Sequence, residues 1–229
     1  MVLKMIGQKR AKIAVDRDRV EEIFISAIQN QNLPLIKSLG GLVNVNEFHN
    51  EMPLLQRALR GKHAKVVKSM LDVCSNINDR GVDYSYGKGE YSMLKWALIY
   101  DCDEEIIKIL LEHDANVNDE KDNILHESIH TFDLRIIESL LEAGAKVEKL
   151  NEKGETALHV LLKEKTNTAE EMPEFTKCQE NICKLLICYG VPFGPKDSDG
   201  KRAFDLAHTR KLRYMIRLEA EENEDFYRR

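Results

Sequence analysis

Two features of this chain predict an all-α fold built as a solenoid of stacked helix-turn-helix units. Apolar residues recur at helical spacing in several short blocks, and the blocks recur at a period close to 33 residues. The composition agrees. The 229 residues carry 43% hydrophobic side chains, only 7% aromatics and 32% charge, which suits many short amphipathic helices better than a sheet-rich barrel.

The clearest blocks lie mid-chain. Residues 103–119 read DEEIIKILLEHDANVND, and residues 133–151 read DLRIIESLLEAGAKVEKLN. Ile106, Ile107, Leu110 and Leu111 mark one helix face, as do Ile136, Ile137, Leu140 and Leu141. Asp114 and Gly144 stop these helices. Glycine takes positive φ at no steric cost, whereas aspartate in that slot makes a weaker cap. A second helix then opens at a Leu-His pair. The equivalent positions are Ile23, Leu54, Leu94, Leu125, Leu158 and Phe204, spaced 31, 40, 31, 33 and 46 residues apart. The long intervals place inserts of about 7 residues before Leu94 and about 13 before Phe204.

On this ruler the chain divides into an N-terminal arm or extra helix (1–19), a repeat domain (20–217) and an acidic tail (218–229) expected to fray. The units run over 20–46, 47–78, 79–118, 119–150, 151–194 and 195–217. The first insert spans 79–91 and carries three glycines and three tyrosines. The second spans 166–177, and its Pro173 argues against a continuous helix there. Each insert reads either as a contact for a partner or as a tolerated loop.

These boxes resemble the ankyrin repeat. The family's Thr-Pro-Leu-His-x-Ala box is matched by Thr156-Ala157-Leu158-His159, by Asn123-Ile124-Leu125-His126 and by Met52-Pro53-Leu54, with Ala58 following. Looser versions are Ser92-Met93-Leu94-Lys95-Trp96-Ala97 and Arg202-Ala203-Phe204-Asp205-Leu206-Ala207. The family's Gly-Ala-Asp-Val-Asn close is matched by Gly144-Ala145-Lys146-Val147-Glu148 and Asp114-Ala115-Asn116-Val117-Asn118. The resemblance covers about residues 20–217 and implies projecting hairpin fingers and a concave face. It also implies that His126 and His159 hydrogen-bond backbone between units.

The resemblance implies a non-enzymatic scaffold that binds another protein through its fingers and first-helix faces. The expected contact residues are Phe48 and His49 in the second finger, and Tyr84, Tyr86, Lys88 and Tyr91 in the third. Asp119, Glu120 and Asp122 follow in the fourth, and Glu152, Lys153 and Glu155 in the fifth. Arg60 and Tyr100 join them from the helix faces, beside Leu59, Ile99, His130, Thr131, Lys163 and Glu164. That surface would run from aromatic to acidic, and a partner with an apolar pocket beside a basic patch is expected. A competitive inhibitor of a signalling or transcription factor is a narrower form of this reading. A host-directed effector of a virus or intracellular bacterium is another. A small-molecule sensor or an enzyme on a repeat scaffold is the alternative class.

Composition limits other partners. Residues 1–115 hold 16 basic and 16 acidic residues, so the whole net charge of -5 falls on the second half. No bulk positive surface is available to grip nucleic acid, although the arm carries Lys9, Arg10 and Lys12. No apolar run approaches a membrane span, and MVLKMIGQKR lacks the apolar stretch of a secretory leader. The five cysteines read as reduced thiols. A monomer in the cytoplasm is expected, with the nucleus as the other location.

No catalytic set emerges. Cys178, Cys183 and Cys188 recur every five residues, so a helix separates them in angle and they read as buried free thiols. No His or Cys pairs have zinc spacing, and no phosphate-binding loop or nucleophile elbow is present. No metal and no cofactor are expected.

Overall fold

The computed structural model describes residues 17–43, 48–49, 52–73, 77–78, 80–82, 90–164 and 173–222. Twelve helices form six antiparallel pairs among them: α1 (Arg17–Gln29) with α2 (Leu33–Leu39), α3 (Leu54–Arg60) with α4 (Ala64–Leu71), and α5 (Met93–Ile99) with α6 (Glu104–Glu112). Then come α7 (Ile124–Ile129) with α8 (Leu134–Glu142), α9 (Ala157–Lys163) with α10 (Pro173–Cys188), and α11 (Ala203–Leu206) with α12 (Arg210–Glu222). First helices pack in one row, α3 on α5, α7, α9 and α11 in turn. Second helices pack in another, α2 on α4, α6, α8, α10 and α12. The fold is an ankyrin-repeat solenoid.

The helices start where polar side chains supply missing acceptors. Asn32, Ser92, Asp103, Asp133 and Thr156 each accept a backbone N–H of the turn they open. Between the rows runs one continuous core. Ile106, Ile107, Leu110, Ile137 and Leu140 are buried in it, as the helical spacing predicts. Trp96, the only tryptophan, is fully buried and stacks on Tyr100 at 5.4 Å between ring centroids.

Two left-handed residues shape most units. The second helix ends at Asp114 (φ 63), Gly144 (φ 84) or Gly190 (φ 80), the slot the sequence identifies. The turn inside the helix pair passes through Gln31, Lys62, Asp101 and Phe132, all at φ between 51 and 53. None of these four is glycine, so the sequence gives no sign of them.

Side-chain amides tie each unit to the next. Asn78 donates to the Asp114 carbonyl (3.0 Å) and accepts the Asn116 N–H (2.8 Å). Asn118 repeats the pattern one unit later, with the Gly144 carbonyl and the Lys146 N–H both at 2.9 Å. The finger turns are also built alike. Asp119, Asn151 and Asp197 accept the N–H two residues on, at 2.9, 2.9 and 3.0 Å.

Two short hairpins form finger bases. β1 (Phe48–His49) pairs with β2 (Met52–Pro53), and β3 (Gly81–Val82) with β4 (Glu90–Tyr91). The second pair closes the neck of the first insert. Arg80 clamps that neck by donating to the Glu90 carbonyl at 2.6 Å.

Several expectations change. Ile23 is 38% exposed, while Phe24 and Ala27 are buried; the ruler slips by one residue in the first unit. Phe24 and Ala27 then keep the three-residue spacing of Leu94 and Ala97. Pro173 does not exclude a helix but begins one, where its missing N–H costs nothing. Phe175 of that helix packs on Phe132 at 4.7 Å. The final helix continues to Glu222, into the span expected to fray. Its positions that match Ile107 and Leu111 are the exposed Arg213 and Arg217, so the outer face of the last pair is polar.

Candidate functional site: the concave groove

First helices and fingers meet along a groove. Over the fourth and fifth units it deepens to a hollow of about 440 Å³; Lys95, Glu127 and Lys163 line it from α5, α7 and α9, with His130 and Glu164 just past the ends of α7 and α9. Lys121, Asn123, Asn151, Glu152, Lys153 and Glu155 line it from the fingers, with His126 and Val160 at its floor. A second hollow of about 270 Å³ adjoins it at Leu98, Ile99, Asp101, Glu127, His130 and Thr131.

The groove is not an acidic strip. Four lysines and four glutamates line the larger hollow, and most are paired. Lys95 lies 3.1 Å from Glu127, and His130 lies 2.8 Å from Glu164. Lys163 bridges Glu155 at 2.6 Å and Asp197 at 2.7 Å, linking the fifth unit to the sixth. The bonds to Asp197 and Glu155 push the Lys163 ammonium up to about 12. The same bond from Lys163 holds the Asp197 carboxyl down at about 2. Burial opposes charge on Glu155, but bonds from Asn151 and Lys163 outweigh it and keep the carboxyl below its ordinary range. Lys121, Glu152 and Lys153 make no ion pair among the described residues and stand exposed.

His126 and His159 are structural. Each donates Nε2–H to a finger carbonyl of the next unit, Glu155 at 2.9 Å and Lys201 at 3.3 Å. Desolvation lowers both imidazole pKa values, so both rings stay neutral.

The expected contact residues divide. Glu152 and Lys153 lie exposed at the hollow, and Glu120 and Arg60 are exposed outside it. Asp122 is fully buried rather than offered to a partner: one oxygen takes Arg80 at 2.6 Å, the other the Ser92 N–H at 2.6 Å. Asp119 is half-buried, 2.8 Å from the same guanidinium. Glu155 is only 5% exposed because Asn151 and Lys163 hold it. Tyr100 is buried under Trp96 and accepts from Gln56 at 2.9 Å. Leu59 is core. Tyr91 turns inward, edge-on to Trp96 at 5.3 Å, with the Lys95 ammonium 4.4 Å above its ring. Tyr84, Tyr86 and Lys88 lie outside the described residues, as do the side chains of Phe48 and His49. The sequence reading missed Lys95, Lys121, Asn123 and Glu127. Lys95 occupies the His slot of its box, and the fourth finger is one residue short, which blurred its register.

Of the three helix cysteines, Cys183 is buried, Cys178 half-buried and Cys188 exposed, so only part of the expected burial holds. Desolvation pushes the Cys183 thiol up to about 12. Among the described residues no three His, Cys, Asp or Glu side chains converge as metal ligands.

Comparison with known proteins agrees with the repeat architecture. Residues 94–197 match the family model for ankyrin repeats, in 3 copies. Ankyrin repeats are thus matched over that part of the chain. Two solved ankyrin structures superpose on it. One is the ankyrin repeat domain of Bcl-3, described as a unique member of the IkappaB protein family (TM-score 0.60, 16% identity, 85% of this chain and 97% of that one). The other is the ankyrin repeat protein EF0377 (TM-score 0.66, 18% identity, 85% of this chain and 96% of that one). At such identities they speak for the fold alone. A curated relative is Palmitoyltransferase AKR1 of Lachancea kluyveri, 26% identical over 213 residues. The alignment takes in 80% of this chain but 28% of that protein. Ankyrin stacks offer extended concave surfaces for binding other proteins. No helix of the described residues is long and apolar enough to cross a membrane.

Proposed function

We propose that this ankyrin stack is a non-enzymatic scaffold that binds a protein segment in the concave groove of its third to fifth units. The observation that carries this reading is the hollow over α7 and α9. It is open, lined by fingers and first helices together, and holds three exposed charges without internal partners, Lys121, Glu152 and Lys153. Unpaired groups around a preformed groove set specificity at low reorganisation cost. The ligand class changes from the earlier expectation: a polar segment bearing both charges fits better than an aromatic pocket beside a basic patch.

Palmitoyl transfer belongs to the name of a relative of which this chain spans about a quarter, and the described side chains give it little support. Cys183 is buried, and Cys188 is exposed on α10. A masking role toward a signalling or transcription factor, in the cytoplasm or nucleus, is the narrower form of the scaffold reading.

The test is capture of interacting proteins by the full chain against Lys121→Glu/Lys153→Glu, with folding verified by circular dichroism. A protein retained by the wild type and lost with the double variant supports the groove. Equal capture by both places the interface elsewhere. A thermal-shift screen with metals and nucleotides covers the other class: one large saturable shift would favour a sensor or enzyme.

A further inference from the structure

Two positions that are closed in later units stand open in the first. Each later first helix begins with a buried apolar residue, Leu54, Met93, Ile124, Ala157 or Ala203, none more than 1% exposed. Phe24 and Ala27 match Leu94 and Ala97, so Ile23 matches Met93, yet Ile23 is 38% exposed. The second helices repeat the contrast. Ile106 and Ile136 lie three residues after their caps, Asp103 and Asp133, and both are at most 3% exposed. Val66 and Leu212, three residues after His63 and Thr209, are fully buried. Their match in α2 is Leu35, three residues after the cap Asn32, and it is only half-buried. Position in the stack separates these cases: every later unit has a unit before it, and the first has none among the described residues.

The two ends of the stack therefore differ. At the far end Arg213 and Arg217 keep the outer face polar. At the near end Ile23 and Leu42 are exposed, and Val20, Leu33 and Leu35 are half-buried. Units of a stack bury apolar faces against their neighbours, so an apolar end face calls for a cover. Residues 1–16 lie outside the described residues and lead directly into α1. Nine of those 16 residues are apolar. Placed on a helix, Val2, Ile6 and Ile13 fall within about 40° of one another; Lys9 and Arg10 border that stripe, and Lys4 and Lys12 stand away from it. Sixteen helical residues span about 24 Å, enough to cross a pair of helices whose axes lie about 8–10 Å apart. Asp16, a good cap residue, directly precedes Arg17, so the chain can turn back there. The segment carries four basic residues and one acid, and exposed Glu22 stands next to Ile23.

We infer that the open face of the first unit is a docking surface for residues 1–16 of the same chain, which cross α1 and α2 as an amphipathic helix. Val2, Ile6 and Ile13 cover Ile23 and Leu35, and the basic border of the stripe meets Glu22. The segment takes the place that a preceding unit holds elsewhere in the stack. This inference does not depend on the groove reading above.

The experiment compares the full chain with Ile6→Asp/Ile13→Asp, Lys4→Asp/Lys12→Asp and Ile23→Lys by amide hydrogen exchange with mass-spectrometric readout. Ile6→Asp/Ile13→Asp should speed exchange in α1 and α2 about tenfold and leave α11 and α12 unchanged, since damage at one end of a stack stays local. Lys4→Asp/Lys12→Asp, off the stripe, should change neither end. Ile23→Lys should match the first variant, and combining the two should add nothing, because both remove the same contact. Fluorescence of Trp96, buried in the third unit, checks that the rest of each variant is folded. Light scattering should find the wild type monomeric while α1 and α2 are protected. Exchange in α1 and α2 unchanged by Ile6→Asp/Ile13→Asp would overturn the inference, as would losses that add with Ile23→Lys. Equal losses from the off-stripe pair would assign the effect to charge and overturn it too. Protection found only in a dimer would give the surface to the segment of a second copy and sink docking within one chain.

Discussion

Arg80 and Asp122 form a pair at 2.6 Å across two units, and Asp122 is fully buried. The second carboxylate oxygen holds the Ser92 N–H, so one aspartate joins the neck of the insert, the start of α5 and the fourth finger. Removing it leaves a guanidinium and an amide short of acceptors. Asp122→Ala should cost about 2–3 kcal/mol, below the full range for a buried pair because Arg80 is partly exposed. Asp122→Asn keeps an oxygen for Ser92 and should cost less. Urea unfolding followed by Trp96 fluorescence reads both. Equal losses for the two would mean that charge on Asp122 contributes nothing.

His126 and His159 make stability depend on pH. Burial lowers both folded pKa values below the ordinary 6.5. The unfolded chain therefore binds protons first on acidification. Their contribution is complete above about pH 6.5 and falls with pH until the folded pKa values are passed. Melting temperatures near about pH 7.5 and pH 5.5 should differ, and the difference should shrink in His126→Gln/His159→Gln. An undiminished difference in the double variant would assign the dependence to other groups.

Two kinds of left-handed residue allow a paired test. Gln31 is exposed at φ 51, and a glycine there relieves the backbone but loosens the unfolded chain. Gln31→Gly should gain about 0.5 kcal/mol. Gly144 stands at φ 84 with open space around its Cα, so Gly144→Ala isolates backbone strain from packing. It should lose about 1–2 kcal/mol. Denaturant midpoints measure both; shifts of the same sign would contradict the assigned conformations.

The same contrast explains what could be read from sequence. Ile106, Ile107, Leu110 and their counterparts at Ile136 to Leu141 repeat at helical spacing and at the unit period, so both rows of helices were legible. Gly144 marked one turn because glycine has a local reason to be there. Gln31, Lys62, Asp101 and Phe132 have none, and the turn they make is imposed by the packing of the pair. In the first unit Ile23, Phe24 and Ile25 are all apolar, so the ruler could slip by one. The groove was harder. Asp122 and Glu155 look like solvated finger residues until folding places a cation on each, Arg80 from the preceding unit and Lys163 from α9. Lys95 and Glu127 lie 32 residues apart, and only stacking brings them together.

Lys163 gives the last test, because it neutralises two carboxylates at once. Its bond holds the Asp197 carboxyl at about 2, below the ordinary 3.8. A lowered carboxyl pKa stabilises the fold above the unfolded value and loses that contribution as pH falls through the folded one. The wild type should therefore keep this support at neutral pH and shed it between about pH 4 and pH 2. Lys163→Met keeps most of the stem but removes the charge, leaving Glu155 and Asp197 to repel across the junction of the fifth and sixth units. Its melting temperature should be lower than wild type at neutral pH, and the gap should close on acidification as the carboxylates protonate. Hydrogen exchange should localise the loss to α9 and the sixth unit, since a stack of units is weakened first at the damaged interface. A gap that persists undiminished at low pH would mean that Lys163 acts through its stem and not its charge.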